Sequence, residues 1–167
     1  MAGPCPVRQS GPDVSGARRH GGAGGQEKTV KYMILSYASQ QDYDNMAGQP
    51  SGTPAWSPED FAAMGAFMEE FNKSLEESGE LVETRGLVAP VHTRRVGSQD
   101  GVIVVTDGPY AETQEVLAGY WIVECDSFDR ATQIAARLGE CPAPPQVAAR
   151  AYADVRPLAE SRSDLEF

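Results

Sequence analysis

Two amphipathic helical patterns constrain the fold of this chain most. The first begins at Ser57, a typical N-cap, with Pro58 at the first helical position and Asp60 at the capping-box position. Apolar residues then recur three and four positions apart until Gly79, a typical helix stop. The apolar stripe of this pattern consists of Phe61, Met64, Met68, Phe71 and Leu75.

The second helical pattern begins after Asp126 or Ser127, either of which is a suitable N-cap, and ends at Gly139. Its apolar stripe consists of Phe128, Ala131, Ile134, Ala135 and Leu138. Because each helix has one apolar face, each has to pack against another element of the fold.

Six segments have the apolar or alternating composition that is typical of β-strands. They span residues 32–37, 80–87, 91–96, 102–106, 119–125 and 149–155. The Asp-Gly pair within residues 97–101 predicts a hairpin between the third and fourth strands. Residues 38–54 are polar, contain Gly and Pro, and predict a loop long enough to act as a lid or rim.

The order of these elements is strand, helix, strand, hairpin, strand, helix, strand. It predicts an α+β fold of the ferredoxin-like split βαβ type, with two helices on one face of an antiparallel sheet. The other face of such a sheet is open. Because the strands are apolar, we expect this face to be covered, most simply by a two-fold dimer that stacks two sheets.

The first 29 residues differ in composition from the rest of the chain. They contain seven Gly and three Pro but no Leu, Ile, Phe, Trp or Tyr, which predicts a disordered extension. An alternative is that translation begins at Val30, where the apolar composition starts abruptly. We therefore expect a folded domain over residues 30–158, followed by a polar C-terminal tail over residues 159–167.

The charge and cysteine content exclude several classes of protein. The net charge of −10 disfavours nucleic acid or an anionic membrane as a direct partner, because both require a basic surface. No apolar run is long enough to span a bilayer. Three cysteines without a CxxC pair indicate neither a disulfide scaffold nor a zinc ribbon. We expect a cytoplasmic protein with no metal site and no cofactor.

One motif resembles a known family. Residues 106–113 read Thr-Asp-Gly-Pro-Tyr-Ala-Glu-Thr, and residues 119–122 read Gly-Tyr-Trp-Ile. Together they resemble the signature of the YCII-related family, specifically its DGPF-type branch, with Tyr in place of Phe. Residues 31–33, 86–87 and 155–157 support the resemblance in the same order, so it covers about residues 30–158.

The resemblance implies a dimeric α+β barrel with a cleft lined by the sheet. It also implies a bacterial protein that is encoded beside an extracytoplasmic-function sigma factor, and hence a sigma factor as a partner. No biochemical activity is established for the branch. In the YCII branch proper, a histidine of the first helix pairs with an aspartate. The helix predicted here over residues 58–78 contains no histidine, so that dyad is not carried over.

Asp107 and His92 are the candidate catalytic residues. Asp107 is expected either to fix the turn before Gly108 and Pro109 or to act as a general base. Gly108 permits a positive φ, and Pro109 fixes φ. His92 is predicted on a strand with Arg94 on the same face, where the pair either is solvated or binds an anion. If His92 approached Asp107, the two would form a replacement dyad.

The remaining candidates are expected to form the wall of the cleft or its turns. Tyr110, Glu112, Thr113 and Tyr120 are candidate ligand contacts, although core packing and helix-start positions explain Tyr110 and Glu112 equally well. Gly119 is expected to be structural.

Two functions follow from these residues and the resemblance. The first is a small dimeric ligand-binding or regulatory accessory protein that is linked to sigma-factor-dependent transcription. The alternative is an enzyme that acts on a small polar metabolite, with Asp107 as general base. A third possibility is a stress-related accessory protein without chemistry.

Overall fold

A computed structural model describes residues 29–49, 56–108 and 115–165. The elements in chain order are β1 (Val30–Ala38), α1 (Gln40–Met46), α2 (Pro58–Glu77), β2 (Leu81–Gly86), β3 (Arg94–Gln99), β4 (Val102–Asp107), β5 (Val116–Cys125), α3 (Phe128–Leu138), α4 (Pro145–Ala148) and β6 (Ala153–Pro157). Two 3₁₀ turns lie at Pro90–His92 and Arg162–Asp164. The expected disordered extension falls outside the described residues, except for Thr29.

The main sheet has four antiparallel strands in the order β2-β5-β1-β6. Strands β3 and β4 form a separate two-stranded sheet, here called the ribbon. The α+β class with an antiparallel sheet is confirmed, and the strand order is consistent with a ferredoxin-like arrangement.

The core lies between one face of the main sheet and helices α2 and α3. Its buried residues come from all of these elements: Tyr32, Ile34, Phe71, Leu75, Trp121, Val123, Cys125, Ala131, Ile134 and Leu138. The ring of Phe71 meets that of Trp121 edge-on at 6.0 Å, and the indole nitrogen of Trp121 donates to Asn72 Oδ1 at 2.9 Å. These contacts fix α2 against the centre of the sheet.

Helices α2 and α3 begin where their caps predict. Ser57 and Asp60 form the expected capping box, and Ser127 caps α3. Helix α2 ends before Gly79, which has a φ of +74°. Phe128 is predicted in the apolar stripe of α3 but is 48% exposed. It lies at the first turn of the helix, where its ring contacts that of Tyr32.

Helix α1 lies within the stretch that was predicted to be a loop. Its N-cap Ser39 accepts a hydrogen bond from the Asp42 amide, and the Asp42 carboxylate accepts one from the Ser39 amide. This reciprocal cap offsets the cost of ordering a helix of only seven residues. The loop prediction for residues 38–54 is therefore wrong over α1.

The strand predictions are wrong at two places. His92 lies in the 3₁₀ turn Pro90–His92 and not on a strand, because Pro90 fixes the first φ of the turn and the Thr93 amide closes it by bonding to the Pro90 carbonyl. The last strand starts only at Ala153. The preceding residues, Ala149 and Ala151, lie in the segment that follows α4.

The ribbon has the tight turn that its Asp-Gly pair predicts. Asp100 and Gly101 have φ values of +50° and +79°, as a two-residue hairpin turn requires. Strands β3 and β4 pair without a break from Arg94 with Asp107 to Gln99 with Val102.

Candidate functional site

Three of the predicted site residues come together at the base of the ribbon. His92, Arg94 and Asp107 line an open cavity of about 500 Å³ with Val91 and Thr93. Arg94 Nε donates to Asp107 Oδ1 at 3.0 Å, and each of these two side chains is 75% exposed. The Asp107 carboxylate is thus paired and solvated, which suits a clamp across the ribbon base more than a general base.

Gly108 is required for a close approach of two segments. Its amide donates to the Thr93 carbonyl at 2.7 Å, and a Cβ at this position would lie 2.7 Å from the Pro90 carbonyl oxygen. Its φ is not in the left-handed region, so the permissive φ expected from the sequence is not what this position uses. Pro109, the next residue of the motif, lies outside the described residues.

The other predicted contacts do not join this cavity. Tyr120 and Trp121 lie on opposite faces of the main sheet, and Trp121 is on the core face. The Tyr120 hydroxyl donates to Glu83 Oε1 at 2.9 Å. A Cβ on Gly119 would lie 3.0 Å from the Arg85 carbonyl oxygen, so strands β2 and β5 approach closely there. Tyr110, Glu112 and Thr113 lie outside the described residues.

A deeper cleft, which the sequence did not reveal, lies on the helix side of the sheet. It has two lobes of about 160 and 220 Å³. The lobes are adjacent and share five lining residues, namely Tyr37, Met68, Leu138, Gly139 and Ala151. Three methionines line it in total, and their flexible side chains adapt to the shape of a guest: Met46, Met64 and Met68.

The aromatic wall of the cleft is built where β1 ends. The pairing of β1 with β5 shifts register between Ser36 and Tyr37, and both residues line the smaller lobe. The ring of Tyr37 stacks on that of Tyr152 at 5.2 Å. Their hydroxyls donate to Asp154 and to Glu115, respectively. Both phenol groups are therefore held in place on the wall.

The polar groups of the larger lobe are few. The Trp56 indole nitrogen is buried and has no hydrogen-bond acceptor among the described residues. Arg150 donates to Asp42 Oδ1 at 2.9 Å, and the other carboxylate oxygen of Asp42 accepts two hydrogen bonds from Ser39. Trp56 thus adds an uncommitted donor to a lobe in which Asp42 and Arg150 neutralise each other.

The pKa shifts of three cleft residues follow from their burial and their hydrogen bonds. Burial acts to raise the pKa of the Asp42 carboxyl, but hydrogen bonds from Ser39 and the charge of Arg150 outweigh it and lower the pKa. Burial raises the pKa of the Cys141 thiol, and burial followed by the bond to Asp154 raises that of Tyr37. Asp42 is therefore ionised at neutral pH, whereas Cys141 and Tyr37 remain protonated and are poor nucleophiles.

Nothing in the described part of the chain gathers three His, Cys, Asp or Glu side chains in the manner of a metal site. Among the same residues, no helix is long and apolar enough to cross a bilayer.

The cleft is hard to find from the sequence because its walls come from separate segments. Tyr37, Met68 and Leu138 were each interpreted as strand or helix residues, and α1 and α4 were not predicted. The two methionines of one helix, Met64 and Met68, are the local signal that points to it.

Comparison with known proteins gives the family. A family model described as the YCII-related domain matches residues 30–160. The chain is also similar to the "Uncharacterized protein R00369" of Rhizobium meliloti (strain 1021). The two are 32% identical over 128 residues, which cover 77% of this chain and 91% of the relative.

Proposed function

This chain belongs to the YCII-related family, and on that premise we propose that it is a dimeric ligand-binding protein. Its cleft accepts a small, uncharged and mainly apolar molecule with one hydrogen-bond acceptor. The observation that carries the proposal is the buried indole nitrogen of Trp56, an unsatisfied donor on a residue that lines the mainly apolar larger lobe. A buried donor without an acceptor is costly, and an acceptor on a bound ligand would remove that cost.

The charges around the cleft support an uncharged ligand. The ionisable carboxylates and guanidinium that line the larger lobe are Asp42, Glu115 and Arg150. Arg150 is paired with Asp42, and Glu115 accepts the Tyr152 hydroxyl. An anionic ligand would meet two carboxylates and a guanidinium that is already neutralised, so charge gives it no advantage.

The dimer is proposed from the open face of the main sheet. Met33, Leu35 and Ile122 lie on the face away from α2 and α3, and Met33 is directly opposite Ile122. Burial of this face against a second copy would give the dimeric α+β barrel that the family resemblance implies.

An enzymatic role has less support, because the proposed general base Asp107 is exposed and paired with Arg94. A regulatory role with a sigma factor, and a cytoplasmic location, rest on the resemblance and on the acidic charge, which suits a basic partner surface. Co-purification from the native host tests the sigma-factor partner, and its repeated absence after mild crosslinking would count against it.

A matched pair of variants tests the cleft. Ala151 lines both lobes, whereas Ala149, two residues earlier, lines neither; both are exposed. We expect Ala151→Phe to fill the cleft and weaken binding of the neutral fluorescent probe N-phenyl-1-naphthylamine by at least about tenfold, a loss of roughly 1.4 kcal/mol. Ala149→Phe and Asp107→Asn should bind the probe as the wild type does.

Fluorescence titration measures these affinities, and the melting temperature of each variant checks that it is folded. Equal affinity of the wild type and folded Ala151→Phe would contradict a binding site in the cleft. An effect of Asp107→Asn alone would move the site to the ribbon base.

A further inference from the structure

Among the described residues, the ribbon stands apart from the main sheet and from the helices. All residues of β3 and β4 are exposed, and their main contacts are with each other. An isolated two-stranded hairpin is only marginally stable in water. The exposed apolar side chains of the ribbon would therefore be stabilised by contact with a further surface.

The apolar residues of the ribbon are concentrated on β4. Four consecutive residues, Val102 to Val105, are between 40% and 68% exposed, and because they alternate in direction they make both faces apolar. Strand β3 is polar except for Val96 and Gly97. A continuous apolar run is typical of a strand that is buried on both faces, but among the described residues β4 is an edge strand.

The outer edge of β4 also lacks the usual protection. Edge strands normally carry a Lys, a Pro or a bulge that prevents pairing with another chain. Strand β4 has none of these, and its pairing with β3 is regular throughout. In a two-residue hairpin the pair that closes the turn is hydrogen-bonded and the pairs then alternate. Ile103 and Val105 thus direct their backbone groups outward.

We propose that β4 pairs antiparallel with β4 of a second copy, across a two-fold axis at Val104. The two ribbons then form one four-stranded sheet with β4 at its centre. Val104 lies opposite the partner's Val104, and Ile103 bonds through its backbone to the partner's Val105. This pairing is apolar apart from the hydroxyl of Thr106, because the register places Val102 opposite Thr106 of the partner subunit.

Three observations favour a second copy as the occupant. The strand is self-complementary about Val104, so an isologous interface needs no other surface. The ribbon is electrically neutral, with Arg94 and Arg95 against Asp100 and Asp107, and gives a charged partner nothing to recognise.

The third observation is the area of the ribbon. It is ~20 Å long and ~10 Å wide by strand geometry, so its two faces present roughly 400 Å², about half of the ~800 Å² that each partner buries in a standard interface. The inference rests on the proposed dimer, whose open sheet face supplies further area.

Cysteine crosslinking tests the pairing in the full chain. Val104→Cys places a thiol at the two-fold axis, in a non-hydrogen-bonded pair whose Cβ separation of ~4.5–5.5 Å is close to disulfide reach. Val96→Cys is the matched control, because Val96 is also exposed on the ribbon but lies on the outer strand β3. Under mild oxidation we expect most of the Val104→Cys protein, but neither Val96→Cys nor the wild type, to form a disulfide-linked dimer.

A charge on the same edge gives a second readout. Val104→Lys should weaken dimerisation at least about tenfold, whereas Gln99→Lys on β3 should leave it unchanged; sedimentation measures both. A wild-type dimer with equal crosslinking of the two cysteine variants would overturn the ribbon pairing while leaving the dimer proposal intact. A monomeric wild type would overturn both, and the probe titration of the cleft remains independent of either result.

Discussion

At the scale of single residues, Trp56 decides the chemistry of the cleft. Its indole nitrogen is buried without an acceptor, and its ring contacts Phe61 at 5.3 Å. Ring packing and hydrogen bonding are therefore separable by Trp56→Phe, which keeps an aromatic ring and removes the donor.

We predict that Trp56→Phe lowers the affinity for 6-propionyl-2-dimethylaminonaphthalene, a neutral probe with a carbonyl group, about fivefold. That loss corresponds to the ~1 kcal/mol contribution of one hydrogen bond. The affinity for N-phenyl-1-naphthylamine, which has no carbonyl acceptor, should change less than about twofold. Equal losses for the two probes, measured by fluorescence titration, would show that Trp56 acts only by packing.

Glu80 links the start of β2 to helix α3. Arg130 of α3 donates from Nε and from its second terminal nitrogen to the two oxygens of Glu80, at 2.6 and 2.7 Å, just before β2. The hydrogen bond from Arg130 is the main cause that lowers the pKa of the Glu80 carboxyl below its ordinary 4.5. The carboxylate is largely shielded, since its side chain is 16% exposed.

Glu80→Gln should lower the free energy of unfolding by about 1–2 kcal/mol near neutral pH, as expected for a charge-assisted pair. Because the folded-state pKa is lowered, this stabilisation is present above the unfolded pKa and is lost as pH falls through the folded value. Urea unfolding should thus show a difference in the free energy of unfolding between wild type and variant near neutral pH, and this difference should disappear in acid. The exposed Glu76 on α2 provides the control Glu76→Gln, which should leave the free energy of unfolding unchanged. A stability loss in Glu80→Gln that persists in acid would show that the ionised Glu80 carboxylate is not its cause.

At the scale of elements, the sequence predicts best where a cap and a periodic stripe agree. Both conditions hold for α2 and α3, and both helices begin at the expected residue. Helix α1 has the cap at Ser39 and Asp42 but only seven residues and no apolar period, so the polar composition favoured a loop. The Asp-Gly turn predicts a hairpin arm over residues 91–96 that includes His92, yet Pro90 sets a 3₁₀ turn there instead.

The cap of α1 is predicted to support the cleft. Ser39→Ala removes the acceptor for the Asp42 amide and one of the three hydrogen bonds that the Asp42 carboxylate accepts, which should cost about 1 kcal/mol of stability. Because Asp42 and Met46 of α1 line the larger lobe, probe affinity should fall as well. Ser39→Thr, which retains both the capping oxygen and the hydroxyl donor to Asp42, is the conservative control for both measurements. Unchanged unfolding and probe affinity in Ser39→Ala would show that the cap is dispensable.

At the scale of the whole molecule, the topology was predictable and the cleft was not. The order of strands and helices, together with the Asp-Gly turn, is enough to indicate an antiparallel sheet with two helices on one face. The cleft depends instead on how α1, the end of α3 and the segment before β6 meet around Met68. No local pattern specifies that meeting, because it follows from tertiary packing over segments more than a hundred residues apart, such as Tyr37 and Tyr152.

Native mass spectrometry of protein purified gently from its own host shows whether this cleft holds a small molecule. We expect a bound small molecule on the wild type and on Ala149→Phe, and its loss from folded Ala151→Phe. The same mass retained by all three proteins would contradict the claim, because the ligand would then lie outside the cleft.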